Sequence, residues 1–336
     1  MRSAGPIHDR TGRRLSLWRM NTRTLHGRPI ISITLVLSSF LAAGITNRPI
    51  AAQTAYNVYF LGGQSNMDGY GQITDLSEDL RTPISGAMIF HGNPAPDGSL
   101  VDGRGIWSEL RPGHGVGFSS DGTTNHYSER FGIELTFARR LRELEPDINI
   151  AIIKYSRGGT SIDTAAAGEF GSWDPDYGGR TGVNQYDHFL TTVRNAFAVS
   201  DIDGDGRADE LVPAGIVWMQ GESDAAFTEE IARRYQHNLR RLIDLIRAAL
   251  RVDDLPVVVG RISDSRRDDD GKVWDHGEIV RTIQADFVAR DGAATLVTST
   301  DDYGYSDPWH YDSEGYVDLG RRFAETMVQL AAGRKQ

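Results

Sequence analysis

The sequence predicts an α/β fold in which a mostly parallel sheet lies between two layers of helices. From residue 55 onward, short runs of β-branched and aromatic residues alternate with long amphipathic segments. The short runs are apolar on both faces, which is typical of parallel strands covered by helices on each side. With 336 residues and 39% hydrophobic content, the chain can bury one large core. We therefore expect a three-layer α/β/α sandwich, formed by one domain over residues 53–336.

Six short runs are predicted to be strands because they are rich in Val, Ile, Phe and Tyr and are bounded by turn residues. In chain order they are residues 57–62, 86–92, 148–156, 214–221, 256–263 and 294–300. In open parallel sheets, ligands bind beyond the carboxyl ends of the strands. Functional side chains are therefore expected directly after these runs.

Five longer segments with apolar residues at helical spacing are predicted to be helices. They are residues 133–144, 187–199, 228–250, 277–290 and 313–332. Two long loops, residues 93–132 and 157–186, follow the second and third predicted strands. Loops of this length inside a domain are usually functional or disordered, and these two start where a substrate site is expected.

The first 52 residues have the pattern of a secretory signal peptide rather than of folded structure. Five arginines, from Arg13 to Arg28, precede an apolar run over residues 30–45, and small residues follow at Ala51 and Ala52. The run is shorter than the ~20 residues that span a bilayer. We expect a mature protein that begins near Gln53 and is secreted or periplasmic, without a stable membrane span. An uncleaved anchor and a start at Met20 are the alternatives.

Charge and cysteine content exclude several classes of function. The formal net charge is −10, with 46 acidic and 36 basic residues. Nucleic-acid binding requires a basic surface, so no nucleic-acid partner is expected. The chain has no cysteine. Disulfides, thiolate nucleophiles and Cys-ligated zinc are excluded, and a nucleophile would have to be Ser, Thr or a carboxylate.

Ser65 is the first candidate catalytic residue. It lies in the segment GGQSNM, after a predicted strand that ends in Gly62 and Gly63. A serine at such a strand end, with a helix N-terminus following, is placed where developing negative charge would be stabilised. Met67 breaks the G-x-S-x-G pattern of α/β-hydrolases. From this segment alone, a helix-capping serine is as good an interpretation as a nucleophile.

The segment SDPWHYD supplies a possible catalytic base. Asp307 and His310 are three residues apart, just before the last predicted helix. In a turn, this spacing brings the carboxylate beside the imidazole, so that Asp307 holds Nδ1–H while Nε2 faces a serine. A surface histidine in a polar turn is the alternative.

Two further segments end predicted strands with groups that suit an oxyanion hole. In VWMQGESD, the Gln220 amide is a possible donor, and Glu222 lies two residues later. In KYSRGGTSID, Gly158 and Gly159 allow a backbone N–H to approach a substrate closely. Each segment by itself is also compatible with a plain polar loop. Together with a serine and an Asp-x-x-His pair, they form the set of groups that acyl transfer needs.

The blocks GQSNM, GGTSI, QGESD and DPWH resemble those of the SGNH hydrolase superfamily, and more narrowly carbohydrate esterase family 6 and the sialate O-acetylesterase-like domain. The resemblance implies a flavodoxin-like α/β/α fold and removal of O-acetyl groups from sugars. It implies that Ser65 is the nucleophile, His310 the base and Asp307 its orienting acid. The backbone amides of Ser65 and Gly159 or Gly158, with the Gln220 side chain, would form the oxyanion hole. Glu222 would be a supporting hydrogen-bond acceptor.

The predicted function is a secreted serine esterase that deacetylates acetylated poly- or oligosaccharides, of the acetylxylan or sialic-acid type, without a catalytic cofactor. Aromatic residues in or near the loops are expected to stack on sugar rings. They are Trp107, Trp173, Tyr177 and Trp309. The alternatives are a lipase or thioesterase on the same fold and a non-catalytic carbohydrate-binding protein. Polar, glycine-rich loops argue against the first, and an intact set of triad residues argues against the second.

The segment at residues 201–212, which starts DIDGDGRADE, resembles the start of a calcium-binding loop. Acidic residues occupy positions one, three, five and nine, and glycine occupies position six. The predicted ligands are Asp201, Asp203, Asp205, Arg207 and Asp209. Position twelve is Val212 rather than the Glu of an EF-hand. A structural Ca²⁺ that braces the strand leading to Gln220 is expected, with a solvated acidic turn as the alternative.

Overall fold

A seven-stranded sheet forms the centre of the computed structural model, which describes residues 53–93, 101–178 and 183–334. The strands are β1 Ala55–Gly63, β2 Ala87–His91, β3 Trp107–Glu109, β4 Asn149–Ser156, β5 Glu210–Met219, β6 Val257–Gly260 and β7 Ala294–Val297. Their order is β7-β6-β5-β1-β4-β2-β3. All neighbours are parallel except β3, which runs antiparallel to β2. The predicted fold class is confirmed, whereas the predicted signal peptide and the alternative start at Met20 lie outside the described residues.

Seven α-helices occur in the described part of the chain. They are α1 Ser65–Asp68, α2 Glu134–Leu144, α3 Gln185–Phe197, α4 Glu222–Ala225, α5 Glu229–Leu250, α6 Gly277–Arg290 and α7 Ser313–Arg334. All six predicted strands and all five predicted helices are present. Of the strands and helices named above, the sequence pattern did not predict β3, α1 and α4, which are three or four residues long and therefore show no periodicity. None of the helices in the described residues is long and apolar enough to cross a bilayer.

Strand β1 shows how helices cover both faces of the sheet. The Tyr59 ring packs edge-on against Phe137 of α2, with 5.3 Å between ring centroids. The next residue, Phe60, packs against Phe189 of α3 at 4.6 Å. Because successive side chains of a strand point to opposite faces, α2 and α3 must lie on opposite sides. Strand β1 is therefore buried from both directions, as its continuous apolar sequence predicts.

Helix α5 illustrates how the sequence sets a helix's ends and buried face. Thr228 precedes it, and the Thr228 side chain accepts a hydrogen bond from the backbone N–H of Ile231, which caps the first turn. Arg251 ends it in the left-handed conformation, with φ of 60°. On its buried face, the Tyr235 hydroxyl donates to the backbone oxygen of Gln220 (2.8 Å). The helix thus supports the segment that follows β5.

A fully buried ion pair lies beneath the carboxyl edge of the sheet. Lys154 of β4 and Glu134 of α2 are both 0% exposed, and Lys154 Nζ lies 2.8 Å from Glu134 Oε2. Lys154 also donates to the backbone oxygens of Asp68 (2.9 Å) and His114 (2.8 Å). All three ammonium protons therefore have acceptors. A buried charge is tolerated only with such complete pairing.

Removal of this ammonium group should strongly destabilise the fold. We expect Lys154→Met to lower the free energy of unfolding by about 3–5 kcal/mol, because Glu134 would remain as an uncompensated buried charge. Urea denaturation measures this change. Adding Glu134→Gln to Lys154→Met should recover part of the loss.

The matched control is Arg139→Ala, which breaks the exposed Arg139–Asp79 pair. It should change the free energy of unfolding far less, since exposed ion pairs contribute little. Equal losses in Lys154→Met and Arg139→Ala would contradict the importance of the buried pair.

Candidate active site

Ser65 lies where β1 ends at the carboxyl edge of the sheet, as the first residue of α1, and is 7% exposed. The turn that carries it requires glycine at position 63. Gly63 has φ of +149°, and a Cβ there would lie 1.9 Å from the backbone oxygen of Met219. The backbone N–H of Gln64 also donates to the Met219 oxygen (3.0 Å). The nucleophile candidate is therefore held against the end of β5.

His310 and Asp307 form the predicted pair. His310 Nδ1 lies 2.7 Å from Asp307 Oδ2. Asp307 Oδ1 accepts the backbone N–H groups of Trp309 and His310, each at 2.8 Å. Burial alone would raise the pKa of Asp307, but the hydrogen bonds from His310 and these amides outweigh burial and lower it. An ionised Asp307 favours the proton on Nδ1, which leaves Nε2 to act as a base.

Asn66, the residue after Ser65, joins the serine to the histidine loop. Its Nδ2 donates to the backbone oxygen of Trp309 (3.2 Å), and its Oδ1 accepts the N–H of Tyr311 (3.4 Å). Asn66 thus binds the residues on both sides of His310. Sequence reasoning missed this role, although Asn66 stands in the block GQSNM. Within the described residues Ser65 and His310 make no direct hydrogen bond, and such bonds commonly tighten only when substrate is bound.

Two backbone amides are free for an oxyanion at this edge. Among the described residues, neither the N–H of Ser65 nor that of Gly159 has a hydrogen-bond acceptor. A Cβ at Gly158 would lie 3.3 Å from Ser65 Cβ, so the Gly158–Gly159 segment runs directly beside the serine. The Gly158 N–H already donates to Asp68 Oδ2 (2.9 Å). Of the two glycines, Gly159 is therefore the one whose amide is available.

Gln220 is placed differently from the sequence-based expectation. Its side chain is 0% exposed, and Nε2 donates to Asp224 Oδ2 at 2.7 Å. Nε2 also lies 3.2 Å from the Thr160 oxygen. Both N–H groups are thus used inside the protein. These contacts do not support Gln220 as a third oxyanion donor. They show instead that Gln220 binds Asp224 and the backbone of Thr160, the residue after Gly159.

Two buried carboxylates of α4 hold the loops of the site. Glu222 Oε1 accepts a hydrogen bond from Asn66 Nδ2 (2.9 Å), and burial raises the pKa of Glu222. Asp224 accepts the backbone N–H groups of Ile162 (2.9 Å) and Asp163 (2.8 Å). Burial raises the pKa of Asp224 to about 6, even though these hydrogen bonds lower it. Glu222 therefore supports the serine turn, and Asp224 the loop after Gly159.

The predicted aromatic platform is only partly available to a substrate. Trp173 is 0% exposed and packs edge-on against Trp218, with 5.0 Å between ring centroids. The expectation that Trp173 stacks on sugar is wrong because its ring is completely covered. Trp107 is half-buried on β3, and its indole N–H donates to the oxygen of Ala196 (2.9 Å). It serves to close the edge of the sheet.

Two exposed aromatic side chains flank the serine. Trp309, next to His310, is 50% exposed. Phe170 is 42% exposed and lies on the Gly159 side, where a Cβ added to Gly159 would come within 2.5 Å of the Phe170 ring. The Tyr70 ring stacks on the His310 imidazole, with 3.5 Å between ring centroids and 6° between planes. No sequence pattern marked Phe170, which lies in an irregular loop.

Three of the predicted calcium ligands converge. Carboxylate oxygens of Asp201, Asp203 and Asp209 lie within 4.8 Å of one another. Asp209 Oδ1 is a buried atom with no hydrogen-bond partner among the described residues. Asp205, which accepts the N–H of Arg207 (2.8 Å), is outside this group. Carboxylate oxygens suit Ca²⁺, so the three converging residues fit such an ion.

Residues 55–329 match the family described as "Carbohydrate esterase, sialic acid-specific acetylesterase", and the chain belongs to this family. It is a carboxylic ester hydrolase of the carbohydrate esterase type. The resemblance inferred from the four sequence blocks is confirmed. Comparison with curated protein sequences gives no match.

Several solved structures share the fold. A protein from Arabidopsis thaliana matches with a TM-score of 0.54 and 18% identity, over 83% of this chain and 99% of that one. XAC1771, a carbohydrate acetylesterase from Xanthomonas citri, matches with a TM-score of 0.55 and 18% identity, over 82% of this chain and 57% of that one. NanS matches with a TM-score of 0.54 and 17% identity, over 85% and 100%. At these identities the likeness shows the fold alone.

The raised pKa of Asp224 predicts a pH dependence of stability. The folded protein keeps the Asp224 proton up to about pH 6, whereas the unfolded chain loses it near 3.8. The Asp224 proton therefore stabilises the folded protein fully below pH 3.8, and this stabilisation is lost as the pH rises from about 4 to about 6. It amounts to roughly 3 kcal/mol over this window.

Asp224→Asn should lack this component. Urea unfolding of wild type and Asp224→Asn at pH 4 and pH 6.5 tests this prediction. The difference between the two proteins in how their free energy of unfolding changes with pH isolates Asp224 from other titrating groups. Parallel pH dependences would show that Asp224 is ionised throughout.

Proposed function

We propose that this protein is a serine esterase that removes O-acetyl groups from carbohydrates, with Ser65 as nucleophile, His310 as base and Asp307 as the acid that orients it. The observation that carries this proposal is the Asn66 side chain, which binds the backbone on both sides of His310 from the position next to Ser65. The Asp307–His310 hydrogen bond and the two free amides supply the remaining groups.

Acylation starts with attack of Ser65 Oγ on the acetyl carbonyl carbon. His310 Nε2 takes the hydroxyl proton, and the carbonyl oxygen becomes an oxyanion that accepts hydrogen bonds from the amides of Ser65 and Gly159. The bond from the carbonyl carbon to the sugar oxygen then breaks. His310 gives its proton to that oxygen, so the sugar leaves as an alcohol and the acetyl group remains on Ser65.

Deacylation repeats these steps with water. Water attacks the acetyl carbonyl carbon while His310 accepts a proton from it. The same two amides donate hydrogen bonds to the second oxyanion. The bond to Ser65 Oγ breaks, Ser65 regains its proton from His310, and acetate leaves. Asp307 stays ionised throughout and stabilises the imidazolium that forms in each half of the cycle.

The surroundings of the serine favour a sugar as the alcohol portion of the ester. Trp309 exposes half of its surface beside His310, the residue that must protonate the leaving oxygen. Aromatic faces of this kind suit the apolar faces of sugar rings. XAC1771 is described as a carbohydrate acetylesterase, which supports an acetylated sugar for this chain as well. Acetylated xylan and O-acetylated sialic acid are the two substrates to compare.

Secretion or export to the periplasm is part of the proposal and depends on residues 1–52. The signal-peptide pattern supports this location: five arginines, then a short apolar run, then small residues of the kind found at a cleavage site.

A structural Ca²⁺ at Asp201, Asp203 and Asp209 is proposed as a separate feature. The support is the convergence of three carboxylates and the unpaired, buried Asp209 Oδ1. The Tyr56 hydroxyl donates to Asp203 Oδ2 (2.9 Å), which links the loop to β1. An ion there would neutralise the repulsion between the carboxylates and fix the loop that leads into β5.

Ser65→Ala should abolish esterase activity. On p-nitrophenyl acetate we expect kcat/KM to fall at least about 10³-fold, because no other group replaces the attacking oxygen. Acetylated xylan and O-acetylated sialic acid are assayed in parallel for acetate release. Asn66→Ala is a useful companion variant, because it keeps Ser65 but removes the side-chain hydrogen bonds to the backbone on both sides of His310.

Thermal unfolding of wild type and Ser65→Ala should coincide, which shows that the fold is intact. Equal activity of the two proteins, or inactivity of both on every ester, would exclude Ser65 as nucleophile and favour the non-catalytic sugar-binding alternative.

Calcium should raise the melting temperature of wild type but not of Asp209→Asn. At a concentration 100 times Kd, one site adds about 2.7 kcal/mol to the free energy of unfolding. Asp269→Asn, which alters an exposed carboxylate elsewhere, is the matched control and should respond like wild type. If calcium leaves the wild-type melting temperature unchanged, the segment is a solvated acidic turn.

A further inference from the structure

A carboxylate that the proposed mechanism does not use, Asp68, lies at the end of α1, one helical turn after Ser65. Its Oδ2 accepts the backbone N–H of Gly158 (2.9 Å). Its Oδ1 accepts a short hydrogen bond from the hydroxyl of Ser156, the last residue of β4, which is 1% exposed. Both carboxylate oxygens are therefore bound to the segment that enters the glycine loop.

These two hydrogen bonds connect the two free amides of the site. The Ser65 N–H belongs to the helical turn that Asp68 ends, and the Gly159 N–H follows directly after the residue that Asp68 binds. The contact between the two segments is close, since a Cβ at Gly158 would lie 3.3 Å from Ser65 Cβ. The separation and relative orientation of the two amides therefore depend on the position of the Asp68 carboxylate.

We propose that Asp68 is a positioning residue that sets the geometry of the oxyanion hole by holding the Gly158 peptide against the turn of Ser65. This inference rests on the proposed function. Asp68 does not touch the substrate; it acts through the Gly158 N–H, whose engagement leaves the next amide, that of Gly159, as the donor available to the reacting carbonyl. Oxyanion stabilisation requires donors fixed before the reaction, because an amide that must reorient loses much of its effect.

A hydrogen bond from the buried Lys154 fixes the backbone of Asp68, and this limits the movement of its side chain. Lys154 Nζ donates to the Asp68 carbonyl oxygen (2.9 Å) and pairs with the buried Glu134. Lys154 and Ser156 belong to the same strand, so β4 binds Asp68 through its backbone at one point and its side chain at another. Gly159 itself adopts φ of +73°, a conformation that favours glycine.

The chemistry of a carboxylate suits this task. It accepts from two donors at once and cannot donate, so it fits a backbone N–H on one oxygen and a hydroxyl on the other. Asparagine at position 68 keeps one acceptor for the Gly158 N–H and turns its NH₂ toward the Ser156 oxygen. Alanine removes both bonds and leaves the Gly158 amide without an acceptor.

Three variants of the full-length protein test the proposal: Asp68→Ala, Asp68→Asn and Ser156→Ala. On p-nitrophenyl acetate, kcat for Asp68→Ala should fall about 10–100-fold with KM nearly unchanged, a loss somewhat below that of a deleted oxyanion donor. Asp68→Asn should recover most of kcat, and Ser156→Ala should lose less than Asp68→Ala. Inhibition by methylboronic acid, which forms a tetrahedral adduct on an active serine, should weaken in parallel with kcat.

If Asp68 had only a structural role, its substitution would lower the melting temperature without the parallel changes in kcat and in inhibition by methylboronic acid. The proposal is overturned if Asp68→Ala keeps the wild-type kcat, or if kcat falls while affinity for methylboronic acid is unchanged. If Asp68→Ala does not fold, Asp68→Asn and Ser156→Ala decide, and an Asp68→Asn loss as large as that of Ser65→Ala overturns it. Failure of the proposed function looks different, because wild type would then have no activity that depends on Ser65.

Discussion

The site depends on one buried side chain, the Asn66 amide. It binds the backbone of Trp309 and Tyr311 and also accepts the hydroxyl of Tyr316 (2.8 Å) at the start of α7. On its other side it donates to Glu222, the first residue of α4. Three segments that are far apart in the sequence thus meet at the residue after Ser65. Without this junction the Asp307–His310 pair would be correctly formed but would have no fixed relation to Ser65.

The parallel sheet makes such a junction possible. Strands β1, β4 and β5 are neighbours and end at the same edge, so Ser65, Gly159 and Glu222 emerge side by side. Buried polar contacts then fix each loop: Asn66 with Glu222, Gln220 with Asp224, and Asp68 with Ser156. Each of these six side chains has at least one hydrogen-bond partner. Such pairing is what allows a buried polar network to add rigidity. The fold supplies proximity, and these contacts supply orientation.

Sequence patterns predicted what depends on periodicity and on short blocks. Both faces of β1 are apolar, and α5 has a clear buried face, so these elements were visible from the chain alone. Strand β3, with three residues, was not. Residue types also do not reveal where hydrogen bonds go: Gln220 stands at the expected strand end, but its donors are used internally, and Trp173 is covered by the core. Asp68 and Phe170 had no signal, because their roles arise from contacts with Gly158 and Gly159 that only the tertiary structure creates.

We propose that Ser65 forms a covalent acetyl-enzyme at the junction held by Asn66. The most direct test is to mix the wild-type protein with p-nitrophenyl acetate, quench with acid within milliseconds, and locate the acetyl group by peptide mass spectrometry. We expect acetylation of the peptide that contains Ser65, at Ser65 itself, and no acetylation there in His310→Ala. Acetyl transfer to another residue, or acetate release with no acetylated Ser65 at any quench time, would contradict it.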